Sequence, residues 1–275
     1  MDLNNIKNIA CLVEYDGSKF FGFQKQNSKS SNISTIQGEL EVALSKFTNE
    51  KISITSAGRT DTGVHALGQV INFKTTANRT IAGFIRGTNA LLPSEIVIHD
   101  CIIVNESFNA RFDAVSRTYY YYLLNTPTHP AILHNKVGWY YGKLDLLSMQ
   151  KACSLLLGEH DFSSFRAANC QANNPIKIML TSEVNQSLTI NNLLQFKFTA
   201  NSFLYHMVRN IIGALVYVGN GKLSVNEFAQ LIVKKDRTKA PPTFMADGLY
   251  LAKVSYPNTI AVFNHNKTKS SLLYN

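Results

Sequence analysis

Between Ala57 and Leu67 the sequence reads Gly58-Arg59-Thr60-Asp61-Thr62-Gly63-Val64-His65-Ala66. Two glycines, an arginine, an aspartate and a histidine share this stretch between two apolar runs. Glycine lets a loop turn tightly and brings backbone close to a ligand. Asp61 beside Arg59 suits an ionised carboxylate held at a loop tip, and a single carboxylate can carry out covalent catalysis. The same residues also suit a plain turn with an Asx cap. The segment is not a phosphate-binding P-loop, because no Gly-Lys-Ser/Thr follows. His65 has no second metal ligand at a familiar spacing.

Two further groups carry chemistry. Arg209 lies near the edge of an apolar stripe made by Leu204, Met207, Val208, Ile211, Ile212 and Leu215. A partly buried arginine needs an acceptor, because an unpaired buried charge is costly. A carboxylate from elsewhere in the chain would meet that need; snorkelling to solvent is the other solution. The third group is Arg117-Thr118-Tyr119-Tyr120-Tyr121-Tyr122. On a strand, Tyr119 and Tyr121 face one side while Tyr120 and Tyr122 face the other. An aromatic ring on an exposed sheet face can stack on an unstacked base. Core packing explains at least one of the two faces as well. Arg111 and Arg117 are placed to meet phosphates.

The elements that must hold these residues mix strands and helices. Apolar runs predict strands at Ile9–Tyr15, Ile52–Thr55, Gln69–Lys74, Ile96–Val104, Arg117–Leu124, Met179–Asn185, Leu194–Thr199 and Leu249–Tyr256. Helical spacing predicts helices opening at Ser34 with Gln37 as a capping box, over Thr80–Leu91, Leu146–Leu157 and Phe203–Val218, and over Val225–Lys234 with Ser224 and Glu227 as a second box. Strand pairs between helices indicate an α+β fold, with antiparallel sheets covered by helices. A soft boundary near Asn105–Asn109 divides the chain into residues 1–108, which carry the Asp61 loop, and residues 109–275.

The chain has 275 residues, 45% of them hydrophobic, enough to bury a core without disulfides or metals. Its four cysteines form no CxxC pair and no zinc spacing, so buried free thiols are expected. The formal net charge of +9 favours a polyanionic partner, nucleic acid ahead of a membrane surface. No apolar run is long enough to span a membrane. The opening MDLNNIKNIACLVEYDG lacks the features of a signal peptide, so a cytoplasmic protein is expected.

With these residues in view, the sequence resembles the TruA family of tRNA pseudouridine synthases. The likeness rests on an ordered set of segments along nearly the whole chain. They are Tyr15-Asp16-Gly17-Ser18 with Gly22-Phe23-Gln24-Lys25-Gln26, Ile36-Gln37-Gly38-Glu39-Leu40-Glu41, and Gly58 to Ala66 with Gly68-Gln69-Val70. Then come Phe108-Asn109-Ala110-Arg111-Phe112, Arg117-Thr118-Tyr119, Gly158-Glu159-His160-Asp161-Phe162, Phe203 to Asn210, and Gly248-Leu249-Tyr250-Leu251. Phe23 stands where the family usually has Trp. Pro241 to Asp247 is a looser version of the family's Pro-containing run, and Asp247 adds a negative charge there.

The resemblance implies a pseudouridine synthase fold, two ferredoxin-like halves joined in one antiparallel sheet flanked by helices. It implies an isomerase that converts uridine to pseudouridine at positions 38–40 of the tRNA anticodon arm, as a homodimer, with neither metal nor organic cofactor. By the match, Asp61 is the catalytic aspartate, Tyr119 the active-site tyrosine, and Arg209 the arginine that pairs with Asp61. Leu249 supplies an apolar contact to the target base. Arg59 positions the loop and the RNA, and Arg111 and His65 join the substrate-binding set. The alternative is a tRNA-binding protein of the same fold without catalysis. A glycosidase or nucleosidase is disfavoured, because that chemistry usually takes two cooperating carboxylates.

Overall fold

The computed structural model describes residues 6–26, 33–168, 170–259 and 263. The chain divides into two compact units, one reaching to Val115 and resuming at Leu251, the other running from Ser116 to Tyr250. The first contains β1 (Lys7–Tyr15), α1 (Ile36–Thr48), β2 (Thr55–Ser56), β3 (His65–Thr75), α2 (Ile81–Asn89) and β4 (Ile96–Val104). The second contains β5 (Ser116–Asn125), β6 (Gly138–Tyr140), α3 (Leu146–Ser154), β7 (Gly158–Asp161), β8 (Ile176–Gln186), β9 (Leu193–Ala200), α4 (Met207–Gly219) and α5 (Val225–Lys234). The last strand, β10 (Leu249–Ser255), begins in the second unit and ends in the first. Both units are mixed α+β with mainly antiparallel pairing, as the sequence led us to expect.

In the first unit β1 lies between β4 and β3. β3 is buried along all its length but for Lys74, which its Ala, Leu, Val, Ile and Phe content explains. Phe84 of α2 packs against Phe47 of α1 and Phe73 of β3, with ring centroids 5.4 and 5.9 Å apart. α1 is capped by Thr35, whose side chain accepts from the Gly38 N–H, and not by Ser34 as the sequence suggested. The two hydroxyl residues are neighbours; the extended backbone of Thr35 selects the second. Cys11 and Cys101 face each other across β1 and β4 with their Sγ atoms 2.8 Å apart. All four cysteines are buried and free.

In the second unit the strand order is β5-β9-β8-β7, and β6 runs parallel beside β5. α4 is buried on nearly every side, and Ile211, Ile212, Ala214 and Leu215 are fully enclosed. It starts at Met207, four residues later than its apolar spacing predicted, because His206 adopts a left-handed backbone with φ of 60°. α3 also ends early, at Ser154. The next three amides bond three residues back, which tightens the chain before Gly158 opens β7 at φ of 95°. The expected Ser224–Glu227 capping box is present in full.

Candidate active site

The Asp61 loop begins where β2 stops. The Ala57 N–H still pairs with Val70 O at 2.9 Å, and then the chain leaves the sheet. It turns at Asp61–Val64, where the Val64 N–H donates to Asp61 O at 3.1 Å. Gly63 has φ of 79°, as the third position of a type II turn requires. Thr60 is buried, Asp61 half-buried and Arg59 exposed. A carboxylate at such a tip is reachable by a ligand while its backbone is anchored.

His65 opens β3 and is only 2% exposed. Its Nδ1 lies 3.1 Å from Asp16 Oδ1 and 3.2 Å from the Gly17 amide nitrogen. One ring nitrogen cannot donate to the first and accept from the second at once; either tautomer ties the ring to the Asp16–Gly17 turn. That turn lies hard against the loop. A Cβ on Gly17 would stand 1.9 Å from Val64 O, so glycine is required for the close approach.

Arg111 sits on a second turn of the same unit. The Asn109 side chain accepts from the Arg111 and Phe112 amides at 3.0 and 3.2 Å, an Asx cap. Two buried asparagines hold the approach to it. Asn8 Nδ2 donates to Phe108 O at 2.9 Å, and Asn72 Oδ1 accepts from the Ala110 N–H at 2.9 Å. Arg111 and Phe112 are left on the surface, Phe112 at 76% exposure, with the Arg111 guanidinium 5.4 Å from the Phe112 ring centroid.

In the second unit Tyr119 lies on β5 opposite Phe198 of β9. It is 8% exposed and meets the Phe203 ring edge to face at 5.0 Å. Tyr120 and Tyr122 stack on each other at 6.2 Å, so the expected alternation of faces holds. Tyr121 and Tyr122 are core residues. Arg209, in the first turn of α4, is half-buried, and its Nε donates to Phe244 O at 2.9 Å. Burial pushes the Tyr121 phenol well above its ordinary range; Asp247 adds to the rise and Arg209 opposes it. Both charged groups therefore act on the same phenol. Leu249 is buried at the start of β10, and Gly248 before it accepts from the Tyr122 N–H at 2.9 Å.

Two lysines after β1 are engaged on the protein. Lys19 pairs with Glu95, and Lys25 Nζ is 3.4 Å from Glu41. Lys29 lies outside the described residues. Among the described residues no group of three His, Cys, Asp or Glu side chains is placed to hold a metal ion.

A family model described as tRNA pseudouridine synthase matches residues 11–113 and 152–257. The chain belongs to the tRNA pseudouridine synthase family. This makes it an enzyme of the isomerase class. It is similar to tRNA pseudouridine synthase A of Neisseria meningitidis, with 48% identity over 262 residues, covering 95% of this chain and 97% of the relative. The protein of the same name from Nitrosomonas eutropha is 48% identical over 248 residues, 90% of this chain and 87% of its own. That of Paraburkholderia phytofirmans is 46% identical over 257 residues, 94% and 93% of the two chains. Asp61, Arg111, Arg209 and Leu249 fall inside the matched family segments, and Tyr119 falls between them.

Within the first unit, one loop and the strand after it bring together Arg59, Asp61 and His65, with Arg111 on a separate turn. Within the second, Tyr119, Arg209 and Leu249 come from β5, α4 and β10. Sequence reasoning missed Asn8 and Asn72, whose one signal is polarity inside apolar strands, and gave no role to Tyr15 and Gln69, although both stand in segments that carry the family resemblance.

Proposed function

We propose that this isomerase converts uridine to pseudouridine in the anticodon arm of tRNA, at positions 38–40, and that Asp61 is the group that does so. The observation that carries the reading is the anchored, half-buried carboxylate of the Gly58–Ala66 loop, in a chain of this family. The reaction breaks the N1–C1′ bond and joins C5 to C1′; the C5 proton leaves and N1 gains one. No energy donor is needed. Ionised Asp61 serves either by attack on the sugar or base or by taking a proton to give a glycal.

The target uridine must leave its stack, at a cost of a few kcal/mol, and rest against aromatic or apolar groups. Tyr119 and Leu249 are proposed as those groups, with the Tyr119 phenol as proton carrier at C5. Arg209 is proposed as the arginine of the same reaction, its guanidinium oriented by Phe244 O. Arg59 and Arg111 meet phosphates, and the exposed Phe112 ring beside Arg111 offers a stacking surface. The formal charge of +9 supports a salt-dependent affinity for tRNA. His65, expected in the substrate-binding set, is closed to solvent, and is proposed instead to support the site through the Asp16–Gly17 turn.

The enzyme is proposed to act in the cytoplasm as a homodimer. Among the described residues no helix is long and apolar enough to cross a membrane. Ile176, Ile178 and Leu180, 44%, 39% and 58% exposed, line one face of β8 and suit burial against a second copy.

Carbodiimide mapping by primer extension tests the target. Transcripts of one tRNA with uridine at 38, 39 or 40 are expected to gain a stop one nucleotide 3′ of that uridine and nowhere else. Stops in another arm, with none reporting 38–40, would overturn the assignment.

A further inference from the structure

The loop that carries Asp61 is held from behind by a closed set of buried polar groups. Gln69 of β3 is fully buried. Its Nε2 donates to Gly58 O at 2.8 Å, and its Oε1 accepts from the Gly58 N–H at 3.3 Å and the Val70 N–H at 3.2 Å. One side chain thus pairs both polar groups of Gly58, as a neighbouring strand would. Tyr15 of β1 brings its hydroxyl 2.8 Å from Thr60 Oγ1. Burial raises the Tyr15 phenol well above its ordinary range, against hydrogen bonds to Thr60 and Gln69 that pull it down.

The backbone of the loop is anchored beside these contacts. The Phe23 N–H donates to Thr60 O at 3.0 Å. Gly22, at φ of 81°, backs onto the Thr60–Thr62 backbone: a Cβ there would lie 3.0 Å from Thr60 O, 3.2 Å from Thr62 N and 3.3 Å from the Asp61 carbonyl carbon. β3 carries an extra residue against β1 at this point, since Val13 pairs with Gln69 but Tyr15 with Ala66. Such an irregularity re-aims the side chains beside it. It brings Gln69 and Tyr15 to bear on the same loop.

We propose that Gln69 and Tyr15 are positioning residues for the Asp61 carboxylate, acting through the backbone of Gly58 and the hydroxyl of Thr60. Both side chains are closed to water, so neither is available to RNA. They therefore set the rate of the chemical step and leave tRNA affinity alone. A displacement of about 1 Å at a reacting group costs about 100-fold in rate. The proposal rests on Asp61 being the catalytic carboxylate.

The test uses Tyr15→Phe, Gln69→Leu, Thr60→Val and the Tyr15→Phe/Thr60→Val double variant, with Asp61→Asn alongside. Single-turnover rates at saturating tRNA transcript, tRNA affinity by fluorescence anisotropy and melting temperature are read for each. Tyr15→Phe and Thr60→Val are each expected to slow the step about 10-fold, and the double variant no more than either one, because one contact is lost in all three. Gln69→Leu is expected to slow it about 100-fold. Affinity stays within about two-fold throughout. Thr60→Ser, which keeps the hydroxyl, restores the rate. Should Gln69→Leu fail to fold, the Tyr15 and Thr60 variants decide. Wild-type rates in them, with a lowered melting temperature or none, would overturn the proposal. An active Asp61→Asn would instead overturn the reading of Asp61 itself.

Discussion

Arg209 and Phe244 hold each other twice. The Arg209 Nε donates to Phe244 O at 2.9 Å, and the Phe244 N–H donates back to Arg209 O at 3.2 Å. The guanidinium is thereby oriented by a backbone carbonyl. The link also joins the first turn of α4 to the stretch before β10, with Asp247 three residues beyond Phe244. An arginine fixed in this way presents its charge in a set direction, without reorganising during a reaction.

Replacing it separates catalysis from folding. Arg209→Leu keeps the bulk of the side chain against the apolar face of α4 and loses the bond to Phe244 O, a net cost of about 1 kcal/mol. Circular dichroism should show a cooperative transition a few degrees below wild type. Single-turnover pseudouridine formation should fall by about 100-fold or more. A fully active variant would show that Arg209 is there for structure alone.

Tyr119 offers a finer distinction. Its ring is packed edge to face on Phe203, a contact that phenylalanine preserves. Tyr119→Phe therefore removes only the hydroxyl. With the phenol as proton carrier, tRNA affinity should stay near wild type while turnover drops by about 100-fold. Unchanged turnover would leave Tyr119 as a wall for the base and nothing more.

His99 gives the fold a pH-dependent contact away from this chemistry. Its Nε2 lies 2.6 Å from Glu14 Oε2, and this hydrogen bond raises the His99 pKa. A raised histidine stabilises the folded state fully below its unfolded pKa of about 6.5 and loses that contribution as pH climbs through the folded value. The melting-temperature gap between wild type and His99→Gln should thus be larger at pH 6 than at pH 8.5. A gap independent of pH would mean that His99 does not take up its proton on Glu14.

Much of this architecture is legible in the sequence, and the exceptions have physical causes. β4 and α5 have the bounds their patterns gave, one set by a β-branched run and the other by the Ser224–Glu227 box. The start of α4 was misjudged because Phe203 and Leu204 continue its apolar spacing. Phe203 packs on Tyr119 and Leu204 is buried, but His206 interrupts the helix with a backbone that apolar spacing does not encode. β6 and β7 are too short to show alternation. The Asp61 loop stood out because glycine, arginine and aspartate crowd into it. Its supports did not, because Tyr15 and Thr60 are 45 residues apart in sequence and Gln69 reads as an ordinary strand residue. Local chemistry is visible in a sequence; contacts between distant segments are not.

The central claim is that the Asp61 carboxylate carries the isomerisation, and tritium release tests it most directly. A tRNA transcript with 5-tritiated uridine loses its label to water when C5 joins C1′. Wild type should release tritium, while Asp61→Asn should bind the same transcript with similar affinity and release none. Release by Asp61→Asn at the wild-type rate would contradict the account.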